Sequence, residues 1–146
     1  MTAAPAGANR LETSAIELHG SIESLRDLED YVLGELEHLR LSADLIQDIR
    51  LVSEEIYSNI VFHAYSGTEG KVRVRAFVAD GSEFCIRFED WGSPFNPLEH
   101  GSPDLDVDFA EREIGGLGIY LVRKLAHDIH YAREGGSNVL TVCFRF

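Results

Sequence analysis

The sequence predicts an α+β fold in two layers, a mixed and mostly antiparallel sheet with helices on one face. Between Ile22 and Ile60 apolar residues recur at threes and fours, the spacing of amphipathic helices. From Val72 to Phe88 the period drops to two, the spacing of strands. The elements then run strand, helix, helix, hairpin, long loop, helix, hairpin, which groups helices apart from antiparallel strands. A chain of 146 residues, 45% apolar, is long enough for one domain with a sizeable core.

Residues 1–10, MTAAPAGANR, read as a flexible tail without a signal-peptide segment. A single domain is expected over 11–146. LETSAIELH, residues 11–19, alternates briefly and predicts a short strand. Ile22, Leu25, Val32, Leu36 and Leu39 form the apolar face of a first helix, with Ser21 as its N-cap. Ser42 and Asp44 open a second helix, whose face runs Leu45, Ile49, Val52, Ile56, Ile60 and which stops near Ser66-Gly67. Val72, Val74, Ala76 and Val78 alternate with Arg73, Arg75 and Phe77. Asp80-Gly81 is a hairpin turn, and Phe84, Ile86 and Phe88 then alternate with Cys85, Arg87 and Glu89. Residues 91–114 carry three prolines and many acids, a long loop of the functional or mobile kind. GGLGIYLVRKLAH opens a third helix. DIHYARE and NVLTVCFRF are two last strands joined at Gly135-Gly136.

The formal net charge of -12 argues against a nucleic-acid binder, which needs a basic face. It leaves room for a nucleotide site and suits a basic protein partner. No apolar run approaches the length that spans a bilayer. Cys85 and Cys143 form no CxxC motif and lie in strand-like apolar surroundings. The expectation is two reduced, buried thiols in a cytoplasmic protein.

Glu55, Asn59 and His63 recur every four residues and so share one helix face. The stripe is either a solvated face or a holder of something. Glu55 offers a base, and Asn59 offers a hard oxygen of the kind magnesium prefers. His63 reads as structural. Asp90 shares parity with Phe84, Ile86 and Phe88, so it points to the apolar side unless the strand ends at Glu89. A buried carboxylate needs donors, such as a ligand's exocyclic amine. Gly92 lets a backbone approach a flat ligand, or simply turns the chain. Gly115, Gly116 and Gly118 precede a helix, where bare N–H groups and the helix dipole favour an anion. No Lys-Ser/Thr follows, so this is no Walker loop, and no strand precedes it, so it is a poor dinucleotide fingerprint. His127 and His130 have no Cys or acid at zinc-ligand spacing and read as structural or exposed.

EEIYSN, EDWGSPF and GGLGIYLV occur in that order. They resemble the N box and the two glycine boxes of the GHKL ATPase superfamily. Within it, SEEIYSNIVFHAY and DWGSPFNP look most like the bacterial anti-sigma-factor serine kinases. The resemblance runs from about Ser42 to the C-terminus, and Pro94 stands where many superfamily members have glycine. It implies a Bergerat-type sandwich binding ATP or ADP with Mg²⁺. By it, Asp90 receives the adenine amine beside Gly92, and Asn59 holds Mg²⁺. Gly115, Gly116, Leu117 and Gly118 lie at the phosphates, and residues 93–114 form the ATP lid, from which Arg112 reaches a γ-phosphate. Glu55 is the general base. Asn138 aligns with an adenine-side position, with Thr141 a rival. The implied partners are an anti-sigma-factor antagonist, a sigma factor and a second copy of the chain, with no nucleic acid and no membrane. A second reading is a non-catalytic module that sequesters a regulator.

Overall fold

The computed structural model describes residues 15–99 and 116–146. The expected tail, Arg112, Gly115 and the lid from residue 100 onward lie outside them. Five strands form one sheet: β1 (Ile16–His19), β2 (Lys71–Ala79), β3 (Glu83–Asp90), β4 (Asp128–Glu134) and β5 (Ser137–Arg145). Their spatial order is β1-β2-β3-β5-β4. Every pairing is antiparallel, so among the described residues the sheet is not mixed. The helices are α1 (Leu25–Leu36), α2 (Ala43–Asn59) and α3 (Gly116–Leu125).

Alternation decides which side of each strand meets the helices. Val72, Val74 and Ala76 of β2, Phe84, Ile86 and Phe88 of β3, and Leu140, Val142 and Phe144 of β5 are buried against one side. Leu28, Val32 and Leu36 of α1, Ile49, Val52 and Ile56 of α2, and Val122 of α3 complete this core. Burying one such aliphatic side chain stabilises the fold by about 1.5–3 kcal/mol.

Local signals place most boundaries. Ser42 caps α2, its Oγ accepting from the Leu45 N–H at 3.2 Å. Ser66 and Gly67 both have positive φ, 49° and 86°, where the helical segment ends. Asp80 and Gly81, at φ 53° and 73°, form the two-residue turn that matches strand twist.

Three expectations need correction. Ser21 has extended backbone and no side-chain cap bond; the chain enters through a 3-10 turn at Ile22–Ser24 instead. That turn leaves Ile22 42% exposed. The Ser21 carbonyl is occupied by the Tyr57 hydroxyl at 2.8 Å. The first helix ends before Leu39, whose N–H closes a turn onto Leu36. Third, Cys85 and Cys143 are joined as a disulfide, not reduced thiols. They sit directly opposite each other on β3 and β5, with Cα atoms 4.1 Å apart, the close approach of a non-hydrogen-bonded antiparallel pair.

α2 does not stop at Asn59. Ile60–Ala64 continues as a π-turn, with the Tyr65 N–H bonded to the Ile60 carbonyl five residues back at 3.0 Å. Tyr65 is thereby aimed at the sheet. Its hydroxyl donates to the Lys71 carbonyl at 2.5 Å and accepts from the Trp91 N–H at 3.0 Å.

Candidate functional site

Asp90 ends β3 on the helix-facing side and is 2% exposed. In register it lies between Val72 and Asn138. Its Oδ1 accepts from the Gly92 N–H at 3.0 Å and from Asn138 Nδ2 at 2.9 Å. Oδ2 accepts no bond from the described residues, so one carboxylate oxygen is committed and the other is available. Burial raises the Asp90 pKa, and the bonds from Asn138 and Gly92 oppose that rise.

Asn138 is held in turn. Its Nδ2 also donates to the Ser93 carbonyl at 2.8 Å. Its Oδ1 accepts from the Phe95 N–H at 3.1 Å and from the Tyr131 hydroxyl at 2.5 Å. Thr141, the rival position, faces Arg87 in register on the opposite side of the sheet. The chain after Asp90 is therefore tied to β5 through Asn138, and the start of the expected lid is anchored there. Leu98 adds a further tie, its carbonyl accepting from Arg123 of α3 at 2.6 Å.

Gly92 meets the end of the α2 segment. The Ser93 N–H bonds the Ala64 carbonyl at 2.9 Å, and a Cβ on Gly92 would stand 2.6 Å from that same oxygen. No side chain fits, so Gly92 is required by close approach. His63 stacks on Phe95, ring centroids 4.9 Å apart.

Nine residues back along the same segment, roughly 13 Å at helical rise, lies Glu55. Asn59 stands between. It is 5% exposed, and its Nδ2 is buried without a partner among the described residues. Buried amides are nearly always satisfied. Whichever way the amide is turned, one of its polar atoms faces a group the described fold does not supply. Glu55 packs on the first turn of α3, and a methyl built on Gly118 would overlap its carboxylate. Burial raises the pKa of Glu55. Gly116 begins α3; the side chain of Leu117 and all of Gly115 lie outside what is described.

The structure thus sets Asp90 and Gly92 at the Ala64 end of the α2 segment, and Glu55, with Asn59 one turn on, against Gly118 of α3. Tyr131, Tyr65 and Arg133, whose Nη1 donates to the Gly92 carbonyl at 3.0 Å, support the Asp90–Gly92 end and had no motif to mark them. Counting back from the Gly135-Gly136 turn would have placed Arg133 opposite Asn138.

Residues 19–144 match the family described as the histidine kinase-like ATPase domain. The chain is 32% identical over 106 residues to the serine-protein kinase RsbW of Listeria monocytogenes, covering 68% of this chain and 67% of that protein. It is 30% identical over 111 residues to the serine/threonine-protein kinase BtrW of Bordetella bronchiseptica, covering 73% and 78%. Two solved structures share the fold. The RsbU and RsbW domains of a Mycobacterium tuberculosis protein align with a TM-score of 0.58 at 17% identity, covering 89% of this chain and 32% of that one. The histidine kinase domain of a blue-light activated kinase from Erythrobacter litoralis aligns with a TM-score of 0.52 at 18% identity, covering 85% and 60%. The chain spans less than two thirds of either solved chain.

Proposed function

The chain belongs to the histidine kinase-like ATPase domain family, a nucleotide-binding family, and we propose that it is an ATP-dependent protein-serine kinase and anti-sigma factor. In this reading it phosphorylates a serine of an anti-sigma-factor antagonist and sequesters a sigma factor. The observation that carries it is the unpartnered, buried amide of Asn59, one helical turn from Glu55 and on the same segment that meets Gly92.

The residues divide the work along α2. Asp90 Oδ2 accepts the adenine amine, while Asn138 and the Gly92 N–H hold Oδ1 and so fix the carboxylate plane. Asn59 fits a Mg²⁺–phosphate group, because its amide oxygen is a hard ligand for the ion and its buried, partnerless Nδ2 is a donor for a phosphate oxygen. When bound, that ion neutralises phosphate charge. Glu55 takes the proton of the attacking serine hydroxyl. Its burial raises its proton affinity, which brings a carboxylate nearer to the work of a general base. Gly118 leaves room for that carboxylate against the helix that follows the glycines. Phosphoryl transfer asks chiefly for positioning and charge neutralisation, so this short list of groups is adequate. Phosphate on the antagonist then weakens its grip by added charge.

The test is transfer of labelled phosphate from ATP to the cognate antagonist in the presence of Mg²⁺. Phosphoserine should form with the natural chain and vanish with Glu55→Ala, while that variant still binds nucleotide. Nucleotide binding without any transfer to a verified partner would reject the kinase and leave a binding module.

A further inference from the structure

The opposite face of the sheet carries a second group of chemically capable side chains, and it does not depend on the kinase reading. Glu83 and Cys85 are two residues apart on β3 and project from the same face, with Arg145 and Cys143 opposite them on β5. A Glu83 carboxylate oxygen and the two sulfurs all lie within 4.8 Å of one another. His127, just before β4, is fixed by its backbone N–H to the Cys143 carbonyl at 2.8 Å. Its Nε2 stands 3.6 Å from the Glu83 carboxylate.

We infer that opening the Cys85–Cys143 disulfide converts this cluster into a site for a zinc-type divalent cation, with Cys85, Cys143, His127 and Glu83 as ligands. A dithiol reductant supplies two electrons and two protons to the sulfurs. The S–S bond breaks, two thiols form, and the reductant leaves as its own disulfide. The cation then displaces both thiol protons to solvent as it binds.

Two thiolates, an imidazole and a carboxylate are the donor types zinc takes, in tetrahedral array at about 2.0–2.3 Å. Such an array sets ligand atoms roughly 3.3–3.8 Å apart. Rotation of side chains that retain freedom brings Glu83, now within 4.8 Å of both sulfurs, and His127, now 3.6 Å from Glu83, to that spacing: Glu83 is 24% exposed and His127 37%. The sulfurs, bonded at about 2.0 Å, part to that spacing once the bond opens, a side-chain rotation about strand positions that already face each other. Cys85 is buried, so a thiolate there requires a counter-charge. Two thiolates beside Glu83, with Asp128 opposite Cys143 on β4, repel one another without a cation. Arg145 now donates to His127 Nε2 at 2.7 Å. It is exposed and can release the ring, leaving its guanidinium to offset the excess negative charge of the ligand set.

The full chain, reduced and freed of reductant under anaerobic conditions, should take one zinc in competition with a chromogenic chelator. Cobalt in place of zinc should give the absorption of a tetrahedral thiolate complex. The oxidised chain should take none. Uptake should be lost in Cys85→Ser and Cys143→Ser and weakened in Glu83→Gln and His127→Ala, partly exposed positions that report even if the serine variants fold poorly. If the reduced chain, with both thiols titrated, holds no more zinc than the oxidised one, the inference fails. It fails equally if neither Glu83→Gln nor His127→Ala changes the affinity.

Discussion

On β3, Phe84, Ile86, Phe88 and Asp90 face the helices, whereas Arg87 and Glu89 face away with the Cys85–Cys143 pair. The two sides obey different rules although they share a backbone. On the inner side the polar groups of the described strands are held by specific bonds: Asp90 Oδ1 by Gly92 and Asn138, and Asn138 by four partners in all. On the outer side charges pair in contact with water, Arg73 with Glu17 at 2.8 Å and Arg87 with Glu89 at 3.3 Å. Lys71 and Arg73 lie over the ring of Trp91. Arg75 and Arg87 even stand opposite each other, an arrangement tolerated because solvent screens it. Burial therefore converts a polar side chain on this sheet from an adjustable contact into a fixed one, and the fixed ones sit where β3 ends at Asp90.

The sharpest break of that contrast is on the rate. Glu55→Ala should lower phosphate transfer roughly 10²- to 10⁴-fold, read from labelled phosphoserine, with nucleotide affinity nearly unchanged. Next comes stability on adjacent residues of one strand. Ile86→Ala should cost about 2–5 kcal/mol in urea unfolding, while Arg87→Ala, losing only a partly exposed pair, should cost under about 1 kcal/mol. Equal costs would deny that the two faces differ. Asp90→Asn keeps the shape and removes the charged acceptor. It should weaken nucleotide binding by the 1.5–3 kcal/mol of such a bond, about 10- to 150-fold by calorimetry. Glu89→Gln, one residue away and turned outward, should alter affinity by less than about threefold.

The smallest effect is a pH dependence on the helical layer. The hydrogen bond from Glu54 to Glu29, aided by burial, pushes the Glu54 pKa up to about 7. Glu29, accepting that bond with Arg50 3.6 Å away, is held below its ordinary value. The proton therefore resides on Glu54. A carboxyl whose folded pKa is raised stabilises fully below its ordinary range and loses that contribution as pH rises through about 7. Glu54→Gln retains a donor at every pH. Its melting temperature should match the natural chain near pH 4 and exceed it by a growing margin as pH rises through about 7.

Much of this was legible in the sequence because it is local. The period of two placed Asp90 inward, Ser42 marked the start of α2, and Asp80-Gly81 marked the hairpin. The choice between Asn138 and Thr141 was not local. It turns on the β3–β5 register, which sets Asn138 against Asp90 and Thr141 against Arg87. The disulfide failed for the same reason, since two cysteines 58 residues apart say nothing of facing each other until register is known. Ser21 misled because a Tyr57 bond from α2 occupies its carbonyl. No residue pattern announced the π-turn, which is a property of what the segment must reach.

That π-turn gives the segment one residue more than a regular helix would use between Asn59 and Tyr65. It acts as a length adjustment between Asn59 and the Gly92 loop. A chain of the same length wound as plain α-helix through this stretch would carry one surplus residue and swing Tyr65 by about a quarter-turn. The tyrosine would lose Lys71 and Trp91 together, and the Ala64 carbonyl would leave Ser93. Homologous helices one residue shorter, wound as plain α-helix, should therefore reach the same Asp90–Gly92 loop, while keeping the same Glu and Asn one turn apart.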